Sequence, residues 1–443
     1  MRIKTSKGKW AVVVYAFLAL TNAGAEEEIS STPETAWFDT PTDGGISAAS
    51  QETDTLTLSS AYFEKLYTNK GLVTFGLELA RFSIRVEDYW QFESLWAKWG
   101  WRALSFWFSW AFNVAYHETG HGLRARAYGY DYQLLTDMKD NSPYSKDENF
   151  FKYFLHSLVN TKRAANRASD EFGKKHTDVV LFLETGAGMT LQEAKDFTKV
   201  ALIFSAGGMN NNTYLAEATS DGLYRRDEIP FLEGMTYAGN QLISAQYARE
   251  AKERGDDPYD VELHWKTLGV SATKTDMQRA GVLSFFLSGT TYRMIYAVWN
   301  ELLHTGRQAR PFSVYGFRVP DVFSYTTSKG MSYKLVSEYK VRDNIHVFFG
   351  GERVFHGESA TEFNVGFEHE LGESWRNMSY KCALTFGKGF DAEASVKLPI
   401  LERLIATIGG AIYSRDSLLG ERHATDLRKK YSGTVYASVS IKY

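Results

Sequence analysis

The feature that most constrains the fold is a change of hydrophobic period near Pro311. Beyond it apolar and polar residues alternate, as they do from Phe390 to Leu398. A period of two places the apolar side chains on one face of a β-strand and the polar ones on the other. The alternation recurs in eight segments, most of them joined by short turns: 312–324, 331–341, 345–355, 361–371, 376–387, 390–398, 402–414 and 432–443. These segments predict an antiparallel sheet over the last third of the chain.

The number and length of the segments resemble the strands of a bacterial outer-membrane β-barrel. Such barrels have an even number of strands of about ten residues, with an apolar face toward lipid and a polar face inward. The chain also ends on an aromatic residue, Tyr443, which resembles the terminal strand of outer-membrane proteins. The resemblance implies a narrow polar lumen in which charged side chains pair: Lys334, Glu338, Glu368, Lys381, Glu393 and Lys397. A soluble antiparallel sheet with one wet face shows the same alternation and is the alternative.

The amino terminus has the composition of an export signal. Four basic residues precede an apolar run from Trp10 to Leu20, and Ala23-Gly24-Ala25 follows as a small-residue cleavage site. This order of segments predicts a signal peptide over residues 1–25, because the apolar run is short for a bilayer-spanning anchor. The protein is therefore expected to be exported.

The composition of the mature chain excludes several classes of protein. Without the four basic residues of the signal, 46 Lys+Arg stand against 53 Asp+Glu, a net charge of −7. This acidic balance argues against a nucleic-acid partner. The single cysteine, Cys382, excludes an internal disulfide. Residues 26–60 are polar and poor in apolar groups, and predict a flexible linker.

The region from 61 to 310 has mainly the 3.6-residue period of amphipathic helices. We expect one or two helices over 91–128 and further helices over 150–170, 190–220 and 277–304, whereas 72–86 fits either a strand or a helix. The longest apolar stretches run for about 14 residues, which suits buried core helices better than membrane-spanning ones. The six tryptophans between positions 90 and 110 are expected in that core or at a membrane surface.

One motif in this region carries chemistry. His117-Glu118-Thr119-Gly120-His121 matches H-E-x-x-H at the end of a helical pattern. The spacing places the two imidazoles one turn apart on one helix face, where they can bind one Zn²⁺ ion. Glu118 would then act as the general base that takes a proton from water. The sequence therefore predicts a catalytic zinc site.

A third protein ligand has to come from elsewhere in the chain. Residue 127 is Ala, which excludes the third histidine of the metzincins. Glu217 and Asp221 are four residues apart, and the segment resembles the E-x-x-S-D helix of the gluzincins, the thermolysin-like zinc peptidases. The resemblance implies that Glu217 is the third ligand and that Asp221 orients His117. Glu253 and Asp257 have the same spacing, but nearby Gly255 and Pro258 argue against a helix there.

A second family offers a different ligand scheme. The run H-E-T-G-H-G-L-R-A-R-A-Y-G from His117 to Gly129 resembles the first metal-binding helix of site-2-type metalloproteases. The resemblance implies that an aspartate from an Asp-Gly segment, here Asp221-Gly222, completes the site. The Asn-Pro run that usually precedes that segment is absent. The sequence leaves open whether Glu217 or Asp221 is the ligand.

Together these patterns predict an α+β protein in which a helical zinc-peptidase-like domain (61–310) precedes an antiparallel barrel of about eight strands (311–443). The expected function is hydrolysis of peptide bonds by an exported enzyme anchored in outer-membrane lipid, with its catalytic domain in the periplasm. The expected partners are thus a protein or peptide substrate and lipid. The alternative is a non-enzymatic barrel protein whose metal site is structural or degenerate and serves partner binding.

Overall fold

The chain folds into an α+β structure. The computed structural model describes residues 55–58, 69–90, 94–129, 134–136, 145–147, 150, 154–155, 158, 191–224, 229–252, 256–304, 313–342, 344–372, 378–401 and 404–442. The predicted signal peptide lies outside the described residues, as does most of the predicted linker and most of the helix expected over 150–170.

Eight helices are formed by the described residues, and seven of them precede the main strands. They are α1 (Asn69–Trp90), α2 (Leu95–Ala127), α3 (Leu191–Tyr224), α4 (Phe231–Glu250), α5 (Asp257–Leu268), α6 (Lys274–Leu287), α7 (Gly289–His304) and α8 (Leu418–His423). Residues 72–86, which the sequence left undecided, belong to α1. The pattern over 91–128 forms one helix. None of the described helices has both the length and the apolarity that a bilayer crossing requires.

The helical segment expected over 277–304 is two helices. α6 begins earlier, at Lys274, because Thr273 and Asp276 form a capping box in which each side chain binds the other's backbone N–H. α6 ends at Leu287, and Ser288 leaves the helical conformation with ψ near 130°. The backbone N–H of Gly289 instead donates to the carbonyl of Pro320. The hydrogen bond between Gly289 and Pro320 thus accompanies a break between the two helices, and the hydrophobic period of the sequence does not predict this break.

The strands are short at first and then long and regular. They are β1 (Thr55–Leu58), β2 (Leu134–Thr136), β3 (Ser145–Asp147), β4 (Ser313–Val314), β5 (Phe317–Arg318), β6 (Asp321–Thr327), β7 (Gly330–Arg342), β8 (Ile345–Gly357), β9 (Thr361–Glu370), β10 (Ser379–Gly387), β11 (Phe390–Leu401), β12 (Leu404–Ser414) and β13 (Tyr431–Lys442). From β7 onward each strand covers one of the predicted segments. The first predicted segment, 312–324, is divided among β4, β5 and β6, because Tyr315 and Gly316 turn the chain with positive φ angles and Val319-Pro320 separates β5 from β6.

The long strands form one antiparallel sheet in which β6 to β13 pair in chain order. β7 pairs with β8 along one edge and with β6 and β5 along the other. At the far end β13 pairs with β12 and with β1, which lies inside the segment predicted to be a linker. Among the described strands β6 and β13 do not pair with each other, so the sheet is open there.

Helix side chains cover the free edge of β6. The backbone N–H and carbonyl of Val322 both bond the Ser288 hydroxyl at 2.9 Å, and Gln241 donates to the same carbonyl at 2.6 Å. The amide of Asn210 donates to the carbonyl of Thr326 and accepts from its N–H, at 2.8 and 2.9 Å. These side chains thus satisfy the outward-facing backbone groups of Val322 and Thr326 in place of a further strand.

The two faces of the sheet are inverted relative to a soluble protein. Glu362, Glu352 and Asp391 are at most 5% exposed, whereas Phe363 and Phe386 are exposed by 54% and 49%. The inner charges are paired: Lys334 with Glu217, Glu338 with His346, Lys397 with Glu368, and Arg422 with Glu352. A cavity of about 400 Å³ lies between this face and α1, α2 and α3. The polar face is thus the interior of the molecule.

Candidate metal centre

The two histidines of the motif meet on one face of α2, near its carboxyl end. Their ring centroids are 5.1 Å apart. Both side chains are buried, with His117 4% and His121 6% exposed. The one-turn spacing of the helix aligns them, as the sequence predicts.

Asp257 completes the cluster from the first residue of α5. Its Oδ2 lies 3.1 Å from Nε2 of His117 and 3.4 Å from Nε2 of His121. One potential ligand atom from each of the three residues lies within 4.8 Å of the others. Asp257 is the most accessible of the three, with 22% of its side chain exposed. Two imidazoles and one carboxylate are a donor set that a divalent metal ion accepts.

The outer nitrogen of each ring is bound to an acceptor. Nδ1 of His117 donates to Oδ1 of Asn212 at 2.6 Å, and Nδ1 of His121 donates to the backbone carbonyl of Phe204 at 2.7 Å. A hydrogen bond at Nδ1 leaves Nε2 of a neutral imidazole without a proton and orients the ring. Both Nε2 atoms are the ones that face Asp257.

A chain of side-chain amides determines the direction of the bond to His117. The carbonyl of Thr236 can only accept, and it receives Nδ2 of Asn240 at 2.8 Å. Oδ1 of Asn240 therefore accepts from Nδ2 of Asn212, at 2.7 Å. Oδ1 of Asn212 is then left to accept from His117. The backbone of α4 thus determines the tautomer of a ring on α2.

The asparagine run of α3 docks on three neighbours at once. Besides the contacts of Asn212 with His117 and of Asn210 with β6, Asn211 donates to the carbonyl of Tyr116 at 3.0 Å. Successive helix residues point about 100° apart, so three in a row reach three different partners. Runs of asparagine are usual in turns and caps, so the sequence alone predicts neither a ligand-orienting residue nor an interhelical contact here.

Glycines allow α2 and α3 to cross closely at the site. A Cβ atom on Gly120 would lie 2.4 Å from the carbonyl oxygen of Gly207, and one on Gly208 would lie 2.4 Å from Nε2 of His117 and 2.6 Å from Nε2 of His121. These are shorter than any real contact of a Cβ atom. Gly208 therefore preserves the space on which both Nε2 atoms converge.

The buried charges of the site shift one another's pKa values. Burial raises the pKa of Glu118 to about 7, although the two histidines oppose the shift. Burial lowers the pKa of His121, but the charge and hydrogen bond of Asp257 outweigh this and raise it to about 9. Burial alone would raise the pKa of Asp257, yet the histidines hold it well below its usual range. The aspartate thus requires a positive charge beside it, which a proton supplies here and a metal ion can supply equally.

The structure does not bring Glu217 and Asp221 to the histidines. Glu217 accepts a hydrogen bond from Tyr325 at 2.6 Å and pairs with Lys334 at 2.5 Å. Asp221 pairs with Arg318 at 2.7 Å and is 47% exposed on its side chain. Position 217 is nine residues beyond Gly208, or about 180° around a helix of 3.6 residues per turn, so it lies on the opposite face of α3. Neither the predicted third ligand nor the predicted orienting aspartate has its expected contact.

Asp257 instead lies beside both histidines, where the third ligand was predicted. Asn212 makes the contact with His117 that was predicted for the orienting aspartate. Gly255 and Pro258 argue from the sequence against a helix at Asp257. Proline is tolerated in the first turn of a helix, where its missing N–H has no acceptor, and Pro258 stands there in α5. The doublet Asp257-Pro258 at a helix start was the signal that could have raised its rank.

Comparison with known proteins finds no match to this chain. No protein-family model matches the chain, and no curated protein or solved structure matches it either. The function of the site has to be argued from its own geometry.

Proposed function

We propose that this chain is an exported zinc metallopeptidase in which His117, His121 and Asp257 hold the ion and Glu118 is the general base. The observation that carries the proposal is the convergence of two Nε2 atoms and one carboxylate oxygen from two helices within 4.8 Å, with both Nδ1 atoms already bound. Ligating histidines almost always donate their other nitrogen in this way.

The number of ligands favours catalysis over a structural role. The cluster in the described part of the chain has three protein ligands. Catalytic zinc sites have three and keep one position for water or substrate, whereas structural sites have four. Asp257 is the partly exposed member, so a substrate would reach the site from its side.

The residues around the ion would divide the work of peptide hydrolysis. A bound zinc ion supplies Lewis acidity, which polarises a peptide carbonyl and makes water more acidic. Glu118 takes a proton from the attacking water and returns it to the leaving amine, a role for which a pKa of about 7 is well matched. Asn212 and the Phe204 carbonyl keep the two rings oriented, and Gly208 leaves room between them.

We also propose that the sheet forms the wall of a barrel-like anchor in an outer membrane, with its apolar face against lipid. The inverted faces support this: exposed phenylalanines alternate with buried glutamates along β9, as at Phe363 and Glu362. The strands from β7 to β13 have 9 to 13 residues, the length that a tilted strand needs to cross a bilayer. The paired charges inside suit a narrow lumen, and the catalytic helices would lie on the periplasmic side.

The decisive experiment combines metal analysis with one conservative substitution. The mature protein, purified in detergent, should contain about one zinc per chain and digest a peptide library. Glu118→Gln should keep its zinc and lose activity by at least about a hundredfold, the low end of what a general base contributes. The matched control is Asp221→Asn, an acid-to-amide change at the residue paired with Arg318. This variant should keep both its zinc and its activity.

Three results would count against the proposal. Wild-type protein without zinc would refute the metal site. Zinc-loaded Glu118→Gln that digests peptides as fast as wild type would refute the general base. A zinc-loaded wild type without any hydrolytic activity would favour the structural alternative.

A further inference from the structure

Helices α6 and α7 expose apolar side chains and bury polar ones. Between Ala280 and Ala297 every exposed residue is aliphatic or aromatic, and they are Val282, Leu283, Phe286, Leu287, Tyr292, Ile295 and Tyr296. Phe286 and Leu287 are exposed by 54% and 59%. Surface helices of soluble proteins direct such side chains inward, and a patch of this kind marks an interaction surface.

The polar residues of the same stretch are buried and bonded. Ser288 bonds the backbone of β6, and the Thr290 hydroxyl donates to Oδ2 of Asp321 at 2.9 Å. The one charged residue between Ala280 and Ala297, Arg293, is 3% exposed and donates to the carbonyl of Leu223. Burying polar groups while exposing apolar ones is costly in water and favourable in lipid, where each polar group must find a protein partner.

This surface adjoins the sheet at the edge of β6. Ser284 of α6 and Ser288, which directly follows α6, bond residues of β6 at the edge where the described residues pair no further strand. α6 thus stands beside the sheet in the place of a neighbouring strand, with its apolar side outward as on the strands. The environment that covers the outer face of the sheet is therefore expected to cover this helix face as well.

The same inversion appears on the first half of α2. Leu104, Trp107 and Phe108 are exposed, whereas Ser105 and Ser109 are buried. Ser109 forms a 3.0 Å hydrogen bond with Thr236 of α4. A partner protein would have to match each such face with a polar rim and specific hydrogen bonds, and none of the exposed residues of these stretches offers a charge for that. A bilayer covers them all without such matching.

We propose that the α6–α7 surface lies in the lipid bilayer beside the sheet, and so forms part of the membrane-embedded wall of the protein. The inference rests on the proposed membrane location of the sheet and extends it to helices that are too short to cross the bilayer. The α6–α7 surface is a contact made within one leaflet or at its boundary with water, as amphipathic helices make it.

The test places single fluorescent labels on the full-length protein. Cys382→Ser removes the only cysteine of the sequence, and Phe286→Cys or Ile295→Cys then takes the label at a position exposed by 54% or 46%. Thr275→Cys, exposed in the first turn of α6, is the matched control, and Phe386→Cys reports on the sheet.

Each labelled protein is reconstituted into phosphatidylethanolamine–phosphatidylglycerol vesicles with brominated acyl chains, and iodide serves as the aqueous quencher.

We expect brominated lipid to quench positions 286 and 295 at least twofold more than position 275, and iodide to show the reverse order. If position 386 is quenched by lipid while 286 and 295 are quenched by iodide, the inference on the helices is wrong and the sheet proposal stands. If iodide quenches all of them, both are wrong. Labels at 286 that are protected from both quenchers and lie close together between molecules would show a second copy in place of lipid, and would also overturn the inference. Lipid quenching at 286 and 295 without quenching at 386 would support the helix surface alone.

Discussion

At the scale of single residues, the third ligand is where the structure differs most from the sequence prediction. Glu217 and Asp257 both follow the rule of two acids four residues apart. They differ in their surroundings, because Glu217 faces Lys334 and Asp257 faces His117. A carboxylate already neutralised by a lysine is a poor metal ligand, whereas one that holds two imidazoles within 3.4 Å is a good one.

Substituting Glu217 and Asp257 in turn should therefore show which of the two is the third metal ligand. Asp257→Asn should weaken zinc binding by at least about a hundredfold, the upper end of what loss of a mere outer-shell contact costs. Glu217→Gln should leave zinc affinity unchanged, although loss of its pair with Lys334 should lower the melting temperature. Zinc affinity is measured by competition with a chelator dye. The opposite ranking would restore the scheme with Glu217 as the ligand.

The ion-free protein should lose stability as the pH rises. The folded pKa of His121 is about 9, above its ordinary value of 6.5, so the folded state keeps a proton that the unfolded chain releases. This stabilisation is complete below pH 6.5 and disappears as the pH passes about 9, a loss on the order of 3 kcal/mol. Thermal melts of chelator-treated protein across pH 6–10 measure it. Asp257→Asn, which removes the charge that raises this pKa, should flatten the profile; an unchanged profile in that variant would contradict the assignment.

At the scale of elements, the site depends on how closely α2 and α3 cross. Both are long helices, of 33 and 34 residues, and either could pair with its neighbours in several ways. Gly120 and Gly207 bring the two backbones together, and Gly208 opens the space in front of both Nε2 atoms. The His117–His121–Asp257 cluster is therefore a property of the helix crossing as much as of the H-E-x-x-H motif.

Gly208→Ala should abolish zinc binding. Its new Cβ atom would lie within 2.6 Å of both Nε2 atoms, and the rings would have to move apart. Alanine is the better helix former by about 1 kcal/mol, so helix propensity does not cause the loss. Gly239→Ala is the matched control, since a Cβ atom there meets nothing within 4 Å. Circular dichroism and zinc content of both variants are the measurements, and normal zinc content in Gly208→Ala would refute the role of this space.

At the scale of the whole molecule, the sheet and helices α6 and α7 bury many polar side chains and expose many apolar ones. The inner face of the sheet carries paired charges, and the loop helix α8 closes onto it, with Arg422 bound to Glu352 and stacked on Tyr325. The backbone N–H of Leu427 also donates to the carbonyl of Ala127, at 2.7 Å. The segment between β12 and β13 and helix α2 are thus joined directly, so the proposed anchor and the proposed catalytic part would move as one.

A lysine at an outward-facing position in the middle of a strand should distinguish lipid from water around the sheet by its effect on the free energy of unfolding. Ile408 lies halfway along β12 and is 52% exposed. In a bilayer, Ile408→Lys should cost about 2–4 kcal/mol of unfolding free energy, and in water the change should be within about 0.5 kcal/mol. Phe390→Lys at the start of β11 is the control, because the cost falls to about 0–1 kcal/mol near the interface. Urea unfolding in vesicles measures both, and equal small costs would argue for a sheet in water.

The features that could be predicted from the sequence depend on near neighbours in the chain. The alternation after Pro311 predicted the strands from β7 to β13 because the pleat repeats every two residues. The H-E-x-x-H spacing predicted the pairing of His117 and His121 because an α-helix makes one turn every 3.6 residues. Only the tertiary structure decided the rest: that Asp257, 136 residues beyond His121, is the third member of the cluster, and that helices cover the edge of β6. Periodicity states which face a side chain occupies, and it carries no information on which distant segment that face will meet.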